Sequence, residues 1–339
     1  MAERVRADVE RRYPDHVTAS PVSMKKPPVF FAVVLIIAGC GGNVGASPTA
    51  SPAPALPAPV MIQIENSDQG RPQSGLATAN LVYEYVAEGG IGRFSLVFFG
   101  PPSAAQQVGP VRSARTVTVK LAEIYKALLM YSGASTYLTS LLNSASFPSF
   151  DEDTAQGSLF RVGFRPAPHN LYTDGRGMAS LSSRAALPPV AYQLWTRTSA
   201  VPAGGKPVTS FTTRVSASEQ PEFTWQPMSG GFTRTEDTGL VKDPNTGAPL
   251  VIPAVIVQQV AVTTDPNVVD VNGSLGVDHA VTGSGPAQVF TEGREYMTTW
   301  TQPSSGPPQF GLAGGSLLPI APGEVWIVLV PTGQPALVK

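Results

Sequence analysis

Four short polar motifs in the sequence could form a binding or catalytic site. They are Arg71-Pro72-Gln73, Glu84 to Arg93, Gly109 to Arg115 and Pro168-His169-Asn170. Only 14% of the 339 residues are charged, against about 25% in ordinary domains. Charged groups that cluster in short motifs of such a chain indicate ion pairs or a ligand site. The candidate binding residues are the polar members of these motifs: Arg71, Glu84, Glu88, Arg93, Arg112, Ser113, Arg115, His169 and Asn170.

The third motif points to an anion. It places two arginines, Arg112 and Arg115, in the first turn of a predicted helix. Backbone N–H groups at a helix start favour an anion, and a guanidinium adds direction. The alternative is structural, with Glu84, Glu88 and Asp151 pairing the two arginines inside the domain. The sequence leaves both interpretations open, and both require the charged groups to lie close together.

Hydrolysis is a second class of chemistry that these residues allow. His169 could act as a base, Ser135 as a nucleophile, and Asp151 or Asp174 as the carboxylate that orients the base. The turn at Ser135 lacks the second glycine of a nucleophile elbow, and a serine there is equally suited to cap a helix. The sequence therefore yields no complete catalytic set.

Composition excludes several other classes of function. A formal net charge of -1 provides no basic surface for nucleic acid. The single cysteine, Cys40, excludes an internal disulfide and a multi-cysteine metal centre. With 3 histidines in the chain, we predict neither a metal site nor a cofactor.

The first 59 residues predict export and lipid anchoring. A basic segment at Met24 is followed by an apolar run that ends in Ile37-Ala38-Gly39-Cys40, and this order is typical of a secretory signal. The run is shorter than the ~20 residues that span a bilayer, and its end resembles the lipobox of bacterial lipoproteins. We predict an extension before the true start at 1–23, a signal peptide at 24–39, and lipidated Cys40 with a Pro/Ala/Ser tether at 40–59. Cys40 would then anchor the protein on the extracytoplasmic face of the bacterial cell membrane.

Two folded domains are predicted after the tether, at 60–200 and 206–339. The first alternates short strands with helices, and the second loses the helical period and keeps short strands between Gly and Pro turns. This pattern predicts an α+β protein, with a mixed α/β N-terminal domain and a mostly β C-terminal domain. The elements predicted in the first domain are strands at Val60–Ile64, Leu81–Val86 and Phe94–Phe99, a helix capped by Ser113 that carries Val117 to Leu128, and a helix capped by Ser135.

The four motifs, in this order, resemble the YerB-like lipoproteins, a bacterial family of unassigned function. In the C-terminal half the resemblance continues through Val289-Phe290, Trp300 and Pro322 to Trp326. One departure is Gly92, which stands where the family usually has Thr. The resemblance covers nearly the whole mature chain and implies a lipoprotein with an α+β first domain, a β-rich second domain and no established reaction.

From these observations we favour a non-enzymatic envelope lipoprotein. Its polar groove would bind a cell-envelope polymer or an envelope protein. The alternative is an envelope hydrolase that acts on peptidoglycan or another ester or amide, with His169 as base.

Overall fold

The structure is a computed structural model that describes residues 55–104, 106–270 and 272–339. The predicted extension, the signal peptide, Cys40 and most of the tether therefore lie outside the described residues. None of the helices in the described ranges is long and apolar enough to cross a membrane.

Helices occur only in the first half of the described chain. Up to residue 200 the elements are β1 (Val60–Glu65), β2 (Leu81–Val86), β3 (Gly92–Phe98), β4 (Gln107–Val108), α1 (Thr116–Tyr125), β5 (Leu128–Met130), α2 (Thr136–Ser144), β6 (Ser149–Phe150), β7 (Phe160–Arg161), β8 (Leu171–Asp174) and α3 (Gly175–Ala185). Beyond residue 200 they are β9 (Lys206–Pro207), β10 (Ser210–Thr212), β11 (Glu222–Gln226), β12 (Gly231–Glu236), β13 (Gly239–Leu240), β14 (Val251–Ile252), β15 (Ala254–Val260), β16 (Val262–Val269), β17 (Leu275–His279), β18 (Ser284–Thr291), β19 (Arg294–Thr301), β20 (Gln309–Gly311), β21 (Val325–Pro331) and β22 (Leu337–Val338).

A large central sheet joins both halves of the chain. Its order is β20-β19-β18-β15-β21-β2-β3-β1-β5-β6, with β9 also paired to β19. Strand β21 lies between β15 and β2 and runs parallel to both. The boundary predicted near residues 200–206 stays a prediction, since the two segments share this sheet.

Both faces of the central sheet are buried, which explains why its strands read as continuous apolar runs. Along β1, Val60, Ile62 and Ile64 belong to one core, and Met61 belongs to the other. The first core also takes residues from α3 and from a second sheet, ordered β13-β12-β11-β10-β22 with β14 beside β12. The second core lies between the central sheet and α1.

The α+β class predicted from the sequence is confirmed. Ser135 is also confirmed as the cap of α2, since its Oγ accepts a hydrogen bond from the Leu138 N–H at 3.3 Å. Helix α1 differs from the prediction. It begins at Thr116, after Arg115, so Arg112 and Ser113 lie in the preceding segment rather than in its first turn and cap. It also ends at Tyr125, and Leu128 lies in β5 instead.

Candidate functional site

Six of the nine candidate residues line one open pocket at the end of the central sheet. We call it the arginine pocket, and its volume is about 560 Å³. The catalytic candidates Gly133 to Ser135 lie on its wall as well. Its charged and hydroxyl-bearing lining includes Glu65, Ser67, Glu88, Arg93, Arg112, Ser113, Arg115, Ser135, His169 and Asp270.

Strand pairing positions the floor of the pocket. Glu65 ends β1 and is the cross-strand partner of Arg93 near the start of β3, so the two Cα atoms are neighbours. Strand β5 runs parallel to β1, and the segment that follows it carries Gly133 to Ser135 to the same edge. Ligand sites commonly lie outside the carboxyl ends of parallel strands, and the pocket lies at such an edge.

Two buried carboxylates hold three of the cationic or basic groups. Glu65, 1% exposed, forms an ion pair with Arg112, with 3.5 Å between Nε and Oε1, and accepts a hydrogen bond from His169 Nδ1 at 2.9 Å. Glu88, 3% exposed, forms an ion pair with Arg115 Nε. Arg112 and Arg115 are therefore paired with carboxylates inside the protein, as the structural alternative predicted. Of the three acids expected as partners, Glu88 is one of the two observed, and Glu65 is the other instead of Glu84 or Asp151.

Arg93 is the exception among the three arginines. It is 6% exposed and lines the pocket, yet among the described residues it has no carboxylate oxygen within 4.0 Å. Its Nη1 donates to the Gly92 carbonyl at 2.9 Å, and its Nε has no hydrogen-bond partner there. Burial, together with the charges of Arg115 and Arg112, lowers the pKa of Arg93 to about 10, although the negative charges of Glu65 and Glu88 partly oppose this shift. Arg93 therefore stays charged at neutral pH and has no carboxylate in direct contact among the described residues.

The pocket lining also has an apolar part, which we call the apolar wall. It consists of Ile91 and Leu138, together with Val268 and Val269 at the tip of the β16–β17 hairpin. Ile91 is 38% exposed and Val269 is 49% exposed. A ligand in the pocket would therefore meet both cationic and hydrocarbon groups.

Arg71 and Glu84 lie outside this pocket, in a second group of buried charges. Glu84 accepts from Arg234 Nη2 at 2.6 Å and Nη1 at 2.8 Å, deep in the sheet interior. Arg71 contacts Glu236 at 3.0 Å and Glu219 at 3.7 Å. We call these five residues the Arg71–Arg234 cluster. Side chains alternate between the faces of a strand, so Glu84 on β2 faces the second sheet rather than the pocket.

Asn170 is also separate from the pocket. Its Oδ1 accepts from Arg161 Nη1 at 2.8 Å, and its Nδ2 donates to the Val162 carbonyl at 3.3 Å. It thus holds the β7 edge, although its chain neighbour His169 lines the pocket.

The catalytic candidates do not assemble as the sequence suggested. Asp174 caps α3 by accepting from the Gly177 N–H at 2.8 Å, and Asp151 accepts from Thr154 in a local turn. The carboxylate that contacts His169 is Glu65 instead. Within the described chain, Glu65 is the only side chain that hydrogen-bonds the His169 ring, so no hydroxyl group is bonded to it as a nucleophile would be.

Sequence reasoning missed Glu65 and Glu219. Glu65 follows directly on the apolar strand Val60–Ile64, and an acid at the end of a buried strand in a sparsely charged chain was an available signal. Glu219 lies on an irregular segment, and its Oε1 accepts from the Gly92 N–H at 2.9 Å. A Cβ at Gly92 would overlap Glu219 Oε2, so the threonine expected here from the family resemblance could not occupy this position without displacing Glu219.

Comparison with known proteins identifies the class to which this fold and site belong. The family described as "Protein of unknown function (DUF3048) N-terminal domain" matches residues 46–187, and the family described as its C-terminal domain matches residues 211–327. The protein is therefore a DUF3048 protein, with both parts present in the order that the family has.

A relative and a solved structure name the family more closely. "Putative lipoprotein YerB" from Bacillus subtilis (strain 168) is 28% identical over 283 residues, which cover 80% of this chain and 81% of that protein. The crystal structure of the YerB protein from Bacillus subtilis matches with a TM-score of 0.67 and 25% identity, over 82% of this chain and 92% of that one. The chain belongs to the YerB-like family, which confirms the resemblance found in its motifs.

Proposed function

We propose that this protein is a lipid-anchored envelope protein that binds an anionic group of a cell-envelope polymer or envelope protein in the arginine pocket. The observation that carries the binding proposal is Arg93, the buried cation without a counterion among the described residues. Buried charges are normally paired, because an unpaired ion loses its hydration without compensation. A ligand anion would supply the partner.

Lipid anchoring is supported by the segment that ends at Cys40 and by the name of the Bacillus subtilis relative, a putative lipoprotein. Mass spectrometry of the membrane fraction should detect an N-terminal peptide that begins at diacylglyceryl Cys40. Cys40→Ala should move the protein out of the membrane fraction. A mature N-terminal peptide from residues 1–23 would contradict this part of the proposal.

Binding is tested by co-sedimentation of the full chain with isolated cell-wall material, and by cross-linking to envelope proteins. Arg93→Gln should reduce retention about tenfold or more, because it removes a charge-assisted contact. The matched control is Arg176→Gln, since Arg176 is a 77% exposed arginine outside the pocket and should leave retention unchanged. Equal retention of Arg93→Gln and the unmodified chain would overturn the proposal.

Hydrolysis is the second candidate function, because the Glu65 carboxylate lies 2.9 Å from His169 Nδ1, as a group that orients a base would. The other ring nitrogen, Nε2, would take a proton from an attacking water. Incubation with isolated cell-wall material should then release soluble fragments, and His169→Gln should abolish the release. If the unmodified chain releases no more than a buffer control, the hydrolase candidate is excluded.

A further inference from the structure

The charge balance of the arginine pocket restricts its ligand. Arg112 and Arg115 are paired with Glu65 and Glu88, so Arg93 is the arginine of the pocket whose positive charge has no carboxylate in direct contact among the described residues. His169 in its neutral form can donate its Nδ1 hydrogen to Glu65 and leaves this balance unchanged. Asp270 also lines the pocket, and its Oδ1 accepts from the backbone N–H groups of Asn272 and Ser274, both at 2.8 Å, so these groups rather than Arg93 bind it. A singly charged anion therefore balances the charge of Arg93, whereas a doubly charged one adds a further negative charge beside three carboxylates.

The guanidinium of Arg93 restricts how the anion is bound. Nη1 is engaged with the Gly92 carbonyl, and Nε is buried without a partner, so Nη2 is the donor left for a ligand. A carboxylate oxygen can accept a charge-assisted hydrogen bond from this group. A carboxylate also carries one negative charge, which balances that of Arg93.

The apolar wall restricts what carries the carboxylate. Ile91 and Val269 are partly exposed in the same pocket, and Leu138 and Val268 lie beside them. In a peptide, the C-terminal carboxylate and the last side chain are attached to the same Cα atom, so an apolar last residue presents both groups at once. A phosphodiester is flanked by polar ester oxygens on both sides and would leave the hydrocarbon uncovered.

We propose that the arginine pocket binds the free C-terminal carboxylate of a peptide whose last residues have small apolar side chains. This inference rests on the proposed binding function and names its ligand class. The volume of about 560 Å³ falls within the range of ~300–1,000 Å³ typical of small-ligand pockets, which suits the last two or three residues of a chain. Such a terminus could come from an exported protein, which has L-residues, or from a wall peptide, which contains D-residues.

Titration calorimetry of the full chain in detergent tests the inference with defined probes. The probes are N-acetyl-L-Ala-L-Ala, N-acetyl-D-Ala-D-Ala, the C-terminal amide of each, and inorganic phosphate. We expect at least one free acid to bind about tenfold or more tightly than its own amide, and the preferred chirality identifies the source. Arg93→Gln should reduce the affinity to that of the amide, and Arg176→Gln should have no effect. The comparison of acid with amide needs no variant, so it remains decisive even if Arg93→Gln fails to fold.

Three outcomes would overturn the inference. They are equal binding of acid and amide, tighter binding of phosphate than of either acid, and no binding of either acid at about 10 mM, beyond the millimolar range of weak ligands. Each of these is compatible with loss of cell-wall retention in Arg93→Gln, in which case the proposed anion-binding function stands with another ligand. If Arg93→Gln and the unmodified chain are retained equally on cell-wall material, the proposed function itself is excluded.

Discussion

Replacing Glu84 by Gln should be among the most destabilising polar substitutions in the chain. The side chains of Glu84 and Arg234 are 0% and 1% exposed, and two hydrogen bonds at 2.6 and 2.8 Å join them. The indole of Trp326 donates to the same carboxylate at 3.1 Å. Glu84→Gln keeps the shape but leaves Arg234 with Glu236 as its remaining partner. Breaking a buried pair costs about 3–5 kcal/mol, and the contact with Glu236 places the expected loss near the lower limit, about 3 kcal/mol.

Urea unfolding followed by tryptophan fluorescence measures this loss directly. The control is Glu152→Gln, because Glu152 pairs with Arg161 at the surface, where both side chains are more than a third exposed and a pair contributes about 0–1 kcal/mol. A double variant, Glu84→Leu with Arg234→Met, should recover part of the stability, since it leaves no buried charge of this pair unmatched. A loss below about 1 kcal/mol for Glu84→Gln would refute the reasoning from burial.

Three further predictions concern two groups with shifted pKa values and one helix cap. Burial raises the pKa of Glu219 from 4.5 to about 7, so between these pH values the folded state keeps a proton that the unfolded chain releases. The free energy of unfolding should therefore decrease by roughly 3 kcal/mol as pH rises from 4.5 to 7. Urea titrations of Glu219→Gln should lack this decrease. Burial lowers the pKa of His279 from 6.5 to about 4, so the neutral imidazole is favoured in the folded state. The free energy of unfolding should therefore decrease by roughly 3 kcal/mol as pH drops from 6.5 to 4. Thermal melts of His279→Leu should lack this loss of stability in acid. Ser135→Ala removes the cap of α2 and should lower stability by about 1 kcal/mol without changing cell-wall retention, whereas a loss of retention at unchanged stability would give Ser135 a role in the site.

Local patterns in the sequence predicted the elements whose conformation depends on nearby residues. The strand at Val60–Ile64 is a short apolar run, and Ser135 precedes a helical repeat, so each contains its own signal. Helix α3 was missed because Gly175 and Gly177 in its first turn disfavour helix, although Asp174 caps it. A cap supplied at the preceding strand end offsets that poor propensity.

The partners of the charged residues could be predicted only in part. Arg115 and Glu88 form one of the expected pairs, and the gathering of most polar motifs follows from strand ends that meet at one edge. The pairing of Glu84 with Arg234 joins residues 150 positions apart, across two sheets, and no local pattern encodes which sheet covers which face. Glu65 was missed because the motif search favoured dense clusters of charge over a single acid after a strand.

The position of β21 between β15 and β2 determines when this protein can fold during its synthesis. Leu81 on β2 pairs with Val325 on β21, so one edge of the early strands has no partner until nearly the whole chain has been made. At about 5–20 residues per second, that interval lasts roughly ten to fifty seconds. During that interval the unpaired edge of an apolar strand can form non-native pairs with other strands. If the proposed export takes place, this delay would favour it, because the chain could not complete its central sheet until β21 has been made.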